Sequence, residues 1–260
     1  MLKAFRGSQF EHTHENKVFD ALYEALAAHC AATEQDWALL GNFYVGNREL
    51  DAVVVKPNAL IIIDFKNYAG KLSLSEDGPW LIEDIANGES TKVKGGASVN
   101  PLVQLRLSKF ALVGFMEKIN KNCNWGHIAA MVLFHGSIEF DVQQIPGNCK
   151  PWLHIAGMND AVRTMEAVVS REIHIVPQDI QYIVDWFELA PFIPAGTVNT
   201  RLLVEPDTAS SDGVQQPTAA QQQALAEFAG WLQNPKGAFR LLGMASTGKH
   251  FLLPRLEAIS

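Results

Sequence analysis

Apolar residues along the chain recur first at helical spacing and then at strand spacing. Over residues 15–30, ENKVFDALYEALAAHC, Val18, Leu22 and Leu26 fall on one stripe, which predicts an amphipathic helix with Glu15 in its first turn. WALLGNFYVG, ELDAVVVK and ALIIIDFK follow as short runs rich in β-branched and aromatic residues, bounded by Gly, Asn and Pro, and they predict a three-strand meander. KLSLSEDGPWLIED reads as a further hairpin, and NGESTKVKGGASVN as a polar loop with the composition of a mobile segment. Asn100 stands where an N-cap belongs and Pro101 at the first helical position, so NPLVQLRLSKFALVGFMEKIN is a helix. HIAAMVLFHG is almost wholly apolar, hence a buried strand, and WLHIA, MNDAVRTMEAVVSRE and VPQDIQYIVDWFEL add a strand and two helices. Alternating helices and strands make an α/β fold with a mixed central sheet.

Near residue 205 the texture changes, because VEPDTASSDGVQQPTAA has the composition of a linker. The expected organisation is a main domain over 1–200, a linker over 201–218 and a separate segment over 219–260. Within that segment GMASTGKH fits a P-loop except at its last position: Gly243, Gly248 and Lys249 would cradle phosphates, but His250 replaces the hydroxyl that holds Mg²⁺. The segment resembles the opening of a helicase-type ATPase. The eleven residues after Lys249 do not complete one, so ATP binding rests on a partial motif.

With 260 residues, 48% of them apolar, the chain can bury a sizeable core. It shows neither an apolar run of membrane-spanning length nor the apolar stretch of a secretion signal, so a cytoplasmic location away from membranes is expected. Cys30, Cys123 and Cys149 form no C-x-x-C pair, which argues against a disulfide framework or a cysteine zinc site. A net charge of −7 gives no overall attraction to nucleic acid, so phosphate contacts require a local patch. Lys92, Lys94, Arg106, Lys109, Lys118 and Lys121 face only Glu117 and supply a candidate; on charge alone they equally describe a solvated helix face.

The meander carries the candidate chemistry. If ELDAVVVK and ALIIIDFK turn on Pro57-Asn58, residues summing to 115 lie opposite each other, which sets Asp51 against Asp64 with Cβ atoms roughly 4.5–5.5 Å apart. Lys66 shares that face by the period of two. Two like charges opposed on an apolar hairpin are destabilising, and Lys66 is a single partner for both. A hard divalent cation resolves the conflict, since Mg²⁺ takes one or two carboxylates plus water and phosphate oxygens. A surface ion-pair cluster at the sheet rim remains the alternative.

Flanking residues extend the pattern. Glu15 and Val18 in ENKVF, then ELDAVVV, IIIDFKNYAG, Trp80, NPLVQ and MVLF, together resemble the nuclease-related domain NERD, a branch of the PD-(D/E)xK phosphodiesterases with the restriction-endonuclease-like fold. The likeness spans about Glu15 to Phe134. It implies that Asp51, Asp64 and Glu15 bind Mg²⁺ or Mn²⁺, that Lys66 is the catalytic lysine, and that Gln104 joins the site from its helix. Family members usually carry Glu where this chain has Asp64; the wider superfamily accepts either. Lys92, Lys94, Arg106 and Lys109 would then flank the site as nucleic-acid contacts. The expected function is hydrolysis of DNA, with RNA not excluded and a helicase as the implied partner. Two rivals stay open: a module of the same fold that binds nucleic acid or docks a helicase without cleaving, and a nucleotide-binding protein centred on Lys249. His12 and His14 precede the predicted helix and carry no expected role.

Overall fold

The fold was obtained as a computed structural model and describes residues 1–85 and 88–194. A strand, β1 (Leu2–Arg6), precedes the first helix, α1 (Thr13–Thr33). Then come the expected meander, β2 (Trp37–Val45), β3 (Arg48–Lys56) and β4 (Ala59–Lys66), and the short strands β5 (Gly70–Ser73), β6 (Leu81–Glu83) and β7 (Ser90–Lys92). Helix α2 (Pro101–Ile119) leads to β8 (Ala129–Phe134) and β9 (Ile138–Glu139). The rest is β10 (Leu153–Gly157), α3 (Met158–Ala167), α4 (Pro177–Trp186) and β11 (Ala190–Pro191). No helix among the described residues is long and apolar enough to cross a membrane. The expected linker at 201–218 and the P-loop-like Gly243, Gly248 and Lys249 lie outside the described residues.

Seven strands form one mixed sheet in the order β10-β8-β4-β3-β2-β1-β11. Its interior strand β4 is buried at all eight positions, which is why that run is apolar almost throughout. The β3–β4 hairpin turns on Pro57-Asn58 in the expected register, from Lys56↔Ala59 to Ala52↔Ile63. Alternate residues therefore serve two cores. Val53, Val55, Leu60 and Ile62 pack with Leu102, Leu105 and Leu112 of α2, whereas Ala52, Val54, Ile61 and Ile63 pack with Val18, Phe19 and Leu22 of α1 and Met165 of α3. Each fully buried aliphatic side chain contributes roughly 1.5–3 kcal/mol.

The N-cap of α2 works in two directions. Asn100 is 0% exposed; its Oδ1 accepts from Val103 N at 2.9 Å, and its Nδ2 donates to the carbonyls of Ser75 (3.1 Å), Glu76 (3.1 Å) and Gly78 (2.7 Å). The helix start is thereby fixed to the loop after β5. A second sheet, β7-β6-β5-β9, flanks this region. Its strand β7 lies within the stretch read as a free polar loop, which is a correction: β7 pairs with β6, and Val93, fully buried, donates its N–H to Trp80 O at 2.9 Å.

Lys56 ties the hairpin to α3. It is 4% exposed, and its Nζ donates to the carbonyls of Met165 (2.8 Å), Glu166 (3.0 Å) and Val168 (2.6 Å) while lying 4.9 Å from the centre of the Trp37 ring. Burial lowers its pKa to about 8. A cation at the carbonyl end of a helix is favoured by the helix dipole, and three acceptors saturate the ammonium.

Candidate active site

At its open end the β3–β4 ladder gives way to side-chain bonds. One step beyond Ala52↔Ile63, Asp51 stands opposite Asp64, and Asp51 Oδ2 accepts from the backbone N–H of Phe65 at 2.7 Å. Asp64 Oδ1 accepts from Lys66 Nζ at 2.7 Å and from Gln104 Nε2 at 3.0 Å. Asp64 is only 3% and Lys66 8% exposed. The remaining oxygens, Asp64 Oδ2 and Gln104 Oε1, are buried with no hydrogen-bond partner. Leaving such an acceptor unpaired costs about 1–3 kcal/mol.

On its other side β3 is interrupted at the same level. Gly41↔Ala52 and Phe43↔Leu50 pair with β2, but between them Asn42 adopts the left-handed region at φ 44° and turns its Nδ2 to Ser8 Oγ at 3.0 Å. Asn tolerates that conformation better than most side chains. Asp51 is thus flanked by a kink in β2 and by its own bond to β4.

Burial first, and the Asp64 charge second, raise the pKa of Asp51 to about 8. Burial raises Asp64 too, against the pull of Lys66. For Lys66, burial alone would lower the pKa, but the charges of Asp64 and Asp51 outweigh it and the net shift is upward. Glu15 is raised by burial, partly offset by His12 and His14. The site therefore gathers more carboxylates than its single lysine neutralises, which favours holding a proton on the Asp51–Asp64 pair.

These groups line an open cleft of about 490 Å³ whose walls include His12, His14, Glu15, Glu49, Tyr68, Lys94, Gly96 and Gln104. Since α1 and α2 cover opposite faces of the sheet, the cleft runs across the sheet's end between the two helix N-termini. Glu15, Asp51, Asp64, Lys66, Gln104 and Lys94 are brought together. Lys92, Arg106 and Lys109 do not line the cleft. Lys109 Nζ donates to the carbonyls of Gly126 (2.7 Å) and Ile128 (2.5 Å), and Arg106 NH2 lies 3.6 Å from Glu76. Missed by sequence reasoning were Glu49, two residues before Asp51 on one strand, and His12 and His14, whose rings stack 5.5 Å apart at the cleft. Period two could have flagged Glu49; only an earlier helix start, at Thr13, could have placed the histidines.

Among the described residues no three His, Cys, Asp or Glu side chains are grouped to hold a metal by themselves. The donor set nevertheless fits a hard cation, which needs one or two carboxylates and otherwise takes water and substrate oxygens. Asp51, Asp64 with its open Oδ2, and the unpartnered Gln104 Oε1 are all oxygen donors of that kind. Searches of curated proteins and of solved structures give no match to the chain. Residues 11–135, which carry Glu15, Asp51, Asp64, Lys66 and Gln104 together with β2–β4, α2 and β8, match the family model of the nuclease-related domain, NERD.

Proposed function

We propose that the chain is a metal-dependent phosphodiesterase that hydrolyses DNA at the end of the β3–β4 hairpin. The observation that carries this is the pair of buried, unpartnered oxygens, Asp64 Oδ2 and Gln104 Oε1, beside two opposed carboxylates. Such costly atoms, where they border a cleft lined with carboxylates, are candidate contacts for a bound ion. Asp51 and Asp64 would hold Mg²⁺ or Mn²⁺, with Glu15 at the cleft wall as a further carboxylate. The ion supplies Lewis-acid charge to the phosphoryl group and acidifies water.

The chain's own residues set the remaining roles. Lys66, whose pKa is raised, stays an ammonium at neutral pH. An ammonium there would stabilise charge that develops on the phosphate or orient the attacking water. Gln104 donates to Asp64 Oδ1 and so leaves Oδ2 facing its partner-free side. Phe65 N–H holds Asp51 in the same way. Work alongside a helicase is part of the proposal and rests on the likeness around Lys249.

The test is cleavage of labelled DNA with Mg²⁺, Mn²⁺ or EDTA by the wild type, Lys66→Ala and Asp64→Ala. Metal-dependent cleavage lost in both variants is expected. Metal-independent cleavage, or full activity in either variant, overturns the assignment. One rival is a module of the same fold that binds without cutting. It would bind DNA in every variant and cut it neither with Mg²⁺ or Mn²⁺ nor in EDTA. Nucleotide binding lost in Lys249→Ala, with no cleavage, would instead support the P-loop segment as the working part.

A further inference from the structure

We infer that the cleft accepts an unpaired strand of nucleic acid, not a duplex, and that Tyr68 is the ring on which a base of that strand stacks. This rests on the phosphodiesterase proposed above and names its substrate class. Access is the first ground. A scissile phosphate must reach Lys66 and Asp64, which are 8% and 3% exposed, at the floor of a cleft of about 490 Å³. That volume lies within the roughly 300–1,000 Å³ of pockets that enclose one small ligand. A nucleotide or two can enter it. A duplex holds its phosphates on a stiff convex surface and would have to unpair first, at a cost of a few kcal/mol.

Charge is the second ground. The cleft lining carries two lysines, Lys66 and Lys94, against the carboxylates of Glu15, Glu49, Asp51 and Asp64, in a chain of net charge −7. Duplex binding draws on many phosphate contacts, which this lining does not offer. Single-strand binders rely more on aromatic faces, which tolerate any base.

Aromatic preorganisation is the third. Tyr68 lines the cleft directly after the Lys66-Asn67 step. Its hydroxyl donates to Lys92 O at 3.4 Å and accepts from Lys94 N at 3.3 Å, and its carbonyl accepts from Gly136 N at 3.3 Å. The segment it grips is itself anchored by buried Val93 and by the Gly95↔Ser98 bridge, where a Cβ on Gly95 would come within 2.4 Å of the Asn100 backbone. The wall is built, and the ring is held in place before any ligand arrives. The stacked His12 and His14 rings offer a second aromatic surface at the start of α1.

The experiment uses the full chain with three DNA probes of one sequence: a single strand, a blunt duplex, and a duplex with a single-stranded overhang. Cleavage with Mn²⁺ and binding by fluorescence anisotropy in EDTA are both read. Expected are cleavage and binding of the single strand and the overhang at least tenfold better than of the blunt duplex. Affinity should fall with salt at a shallow slope of about −1 to −2, as one to three phosphate contacts give. Tyr68→Leu should weaken single-strand binding roughly 5- to 150-fold, the usual worth of a base–aromatic stack, and Tyr68→Phe by less. A blunt duplex cut or bound as well as the single strand overturns the inference even if cleavage is strong. If nothing is cut while the single strand still binds tenfold tighter, the hydrolase fails and the single-strand cleft stands.

Discussion

Replacing Asp51 by Asn should stabilise the metal-free protein while abolishing its response to metal. In the folded chain the half-buried Asp51 carboxyl is pushed up to about 8, because it is desolvated and faces Asp64. In the unfolded chain it titrates near 3.9, so at pH 7 folding must keep it protonated or bear its charge, at a cost on the order of 4 kcal/mol. The sign follows from linkage. With the folded pKa raised, the folded state binds the extra proton, so this group's penalty is absent below about pH 4, grows as pH rises, and is complete above about pH 8. Asn carries no such penalty, and its Oδ1 can still accept from Phe65 N–H. Cleft water screens part of the effect, so a gain of about 2 kcal/mol at pH 8 is expected, or roughly 4–8 °C in Tm for a domain of this size. Thermal unfolding in EDTA at pH 5 and pH 8 reads it directly: the advantage of Asp51→Asn should be small at pH 5 and full at pH 8. With Mg²⁺ or Mn²⁺ at pH 8 the wild type should rise in Tm and the variant should not. A variant less stable than wild type at pH 8 in EDTA, or a gain that ignores pH, would refute the charge-conflict account of the site.

Other substitutions test the scaffold. Lys56→Met removes the ammonium that serves the carbonyls of Met165, Glu166 and Val168, and should cost about 2–4 kcal/mol in urea unfolding. An unchanged midpoint would mean that those carbonyls find water. Asn100→Ala loses the cap of α2 and three carbonyl partners, for a similar loss of about 2–4 kcal/mol, and should also lower cleavage because Gln104 stands one turn further on. In Gly41→Ala the new Cβ would meet Phe19 Cε2 at 2.3 Å, with Phe19 fully buried, so about 1–3 kcal/mol of stability should go, measured as a drop in Tm.

The hairpin was legible because Pro57-Asn58 separates two β-branched runs whose alternation fixes the register, and with it Asp51 against Asp64. Asn100 and Pro101 likewise announced α2. Strand β1 was not, since LKAFR mixes charges with apolar residues and becomes a strand by pairing with β2 on one side and β11 on the other. Strand β7, all polar, forms because its neighbour Val93 is drawn into the core, which is a tertiary cause with no local signal. The closeness of Gln104 to Asp64 depends on how α2 docks; the likeness to a family supplied it and spacing could not. Which members of the basic patch reach the cleft was hidden for a related reason. Lys109 is spent on the carbonyls of Gly126 and Ile128, and nothing in sequence says which lysines a fold will use internally.

The strand order also bears on how the protein can be divided. The segment that matches the family ends at residue 135, yet β8 hydrogen-bonds to β10 along Leu153–Gly157, and β2 to β1 along Leu2–Arg6. Cutting at the limits of the match would bare both flanks of the remaining four-stranded ribbon. Each would present a row of unsatisfied amides, and with α3 removed, Met131 and Leu133 would lose their cover. Such a fragment would recruit strands from other molecules and precipitate, so the boundary of the family signature is not a boundary of folding.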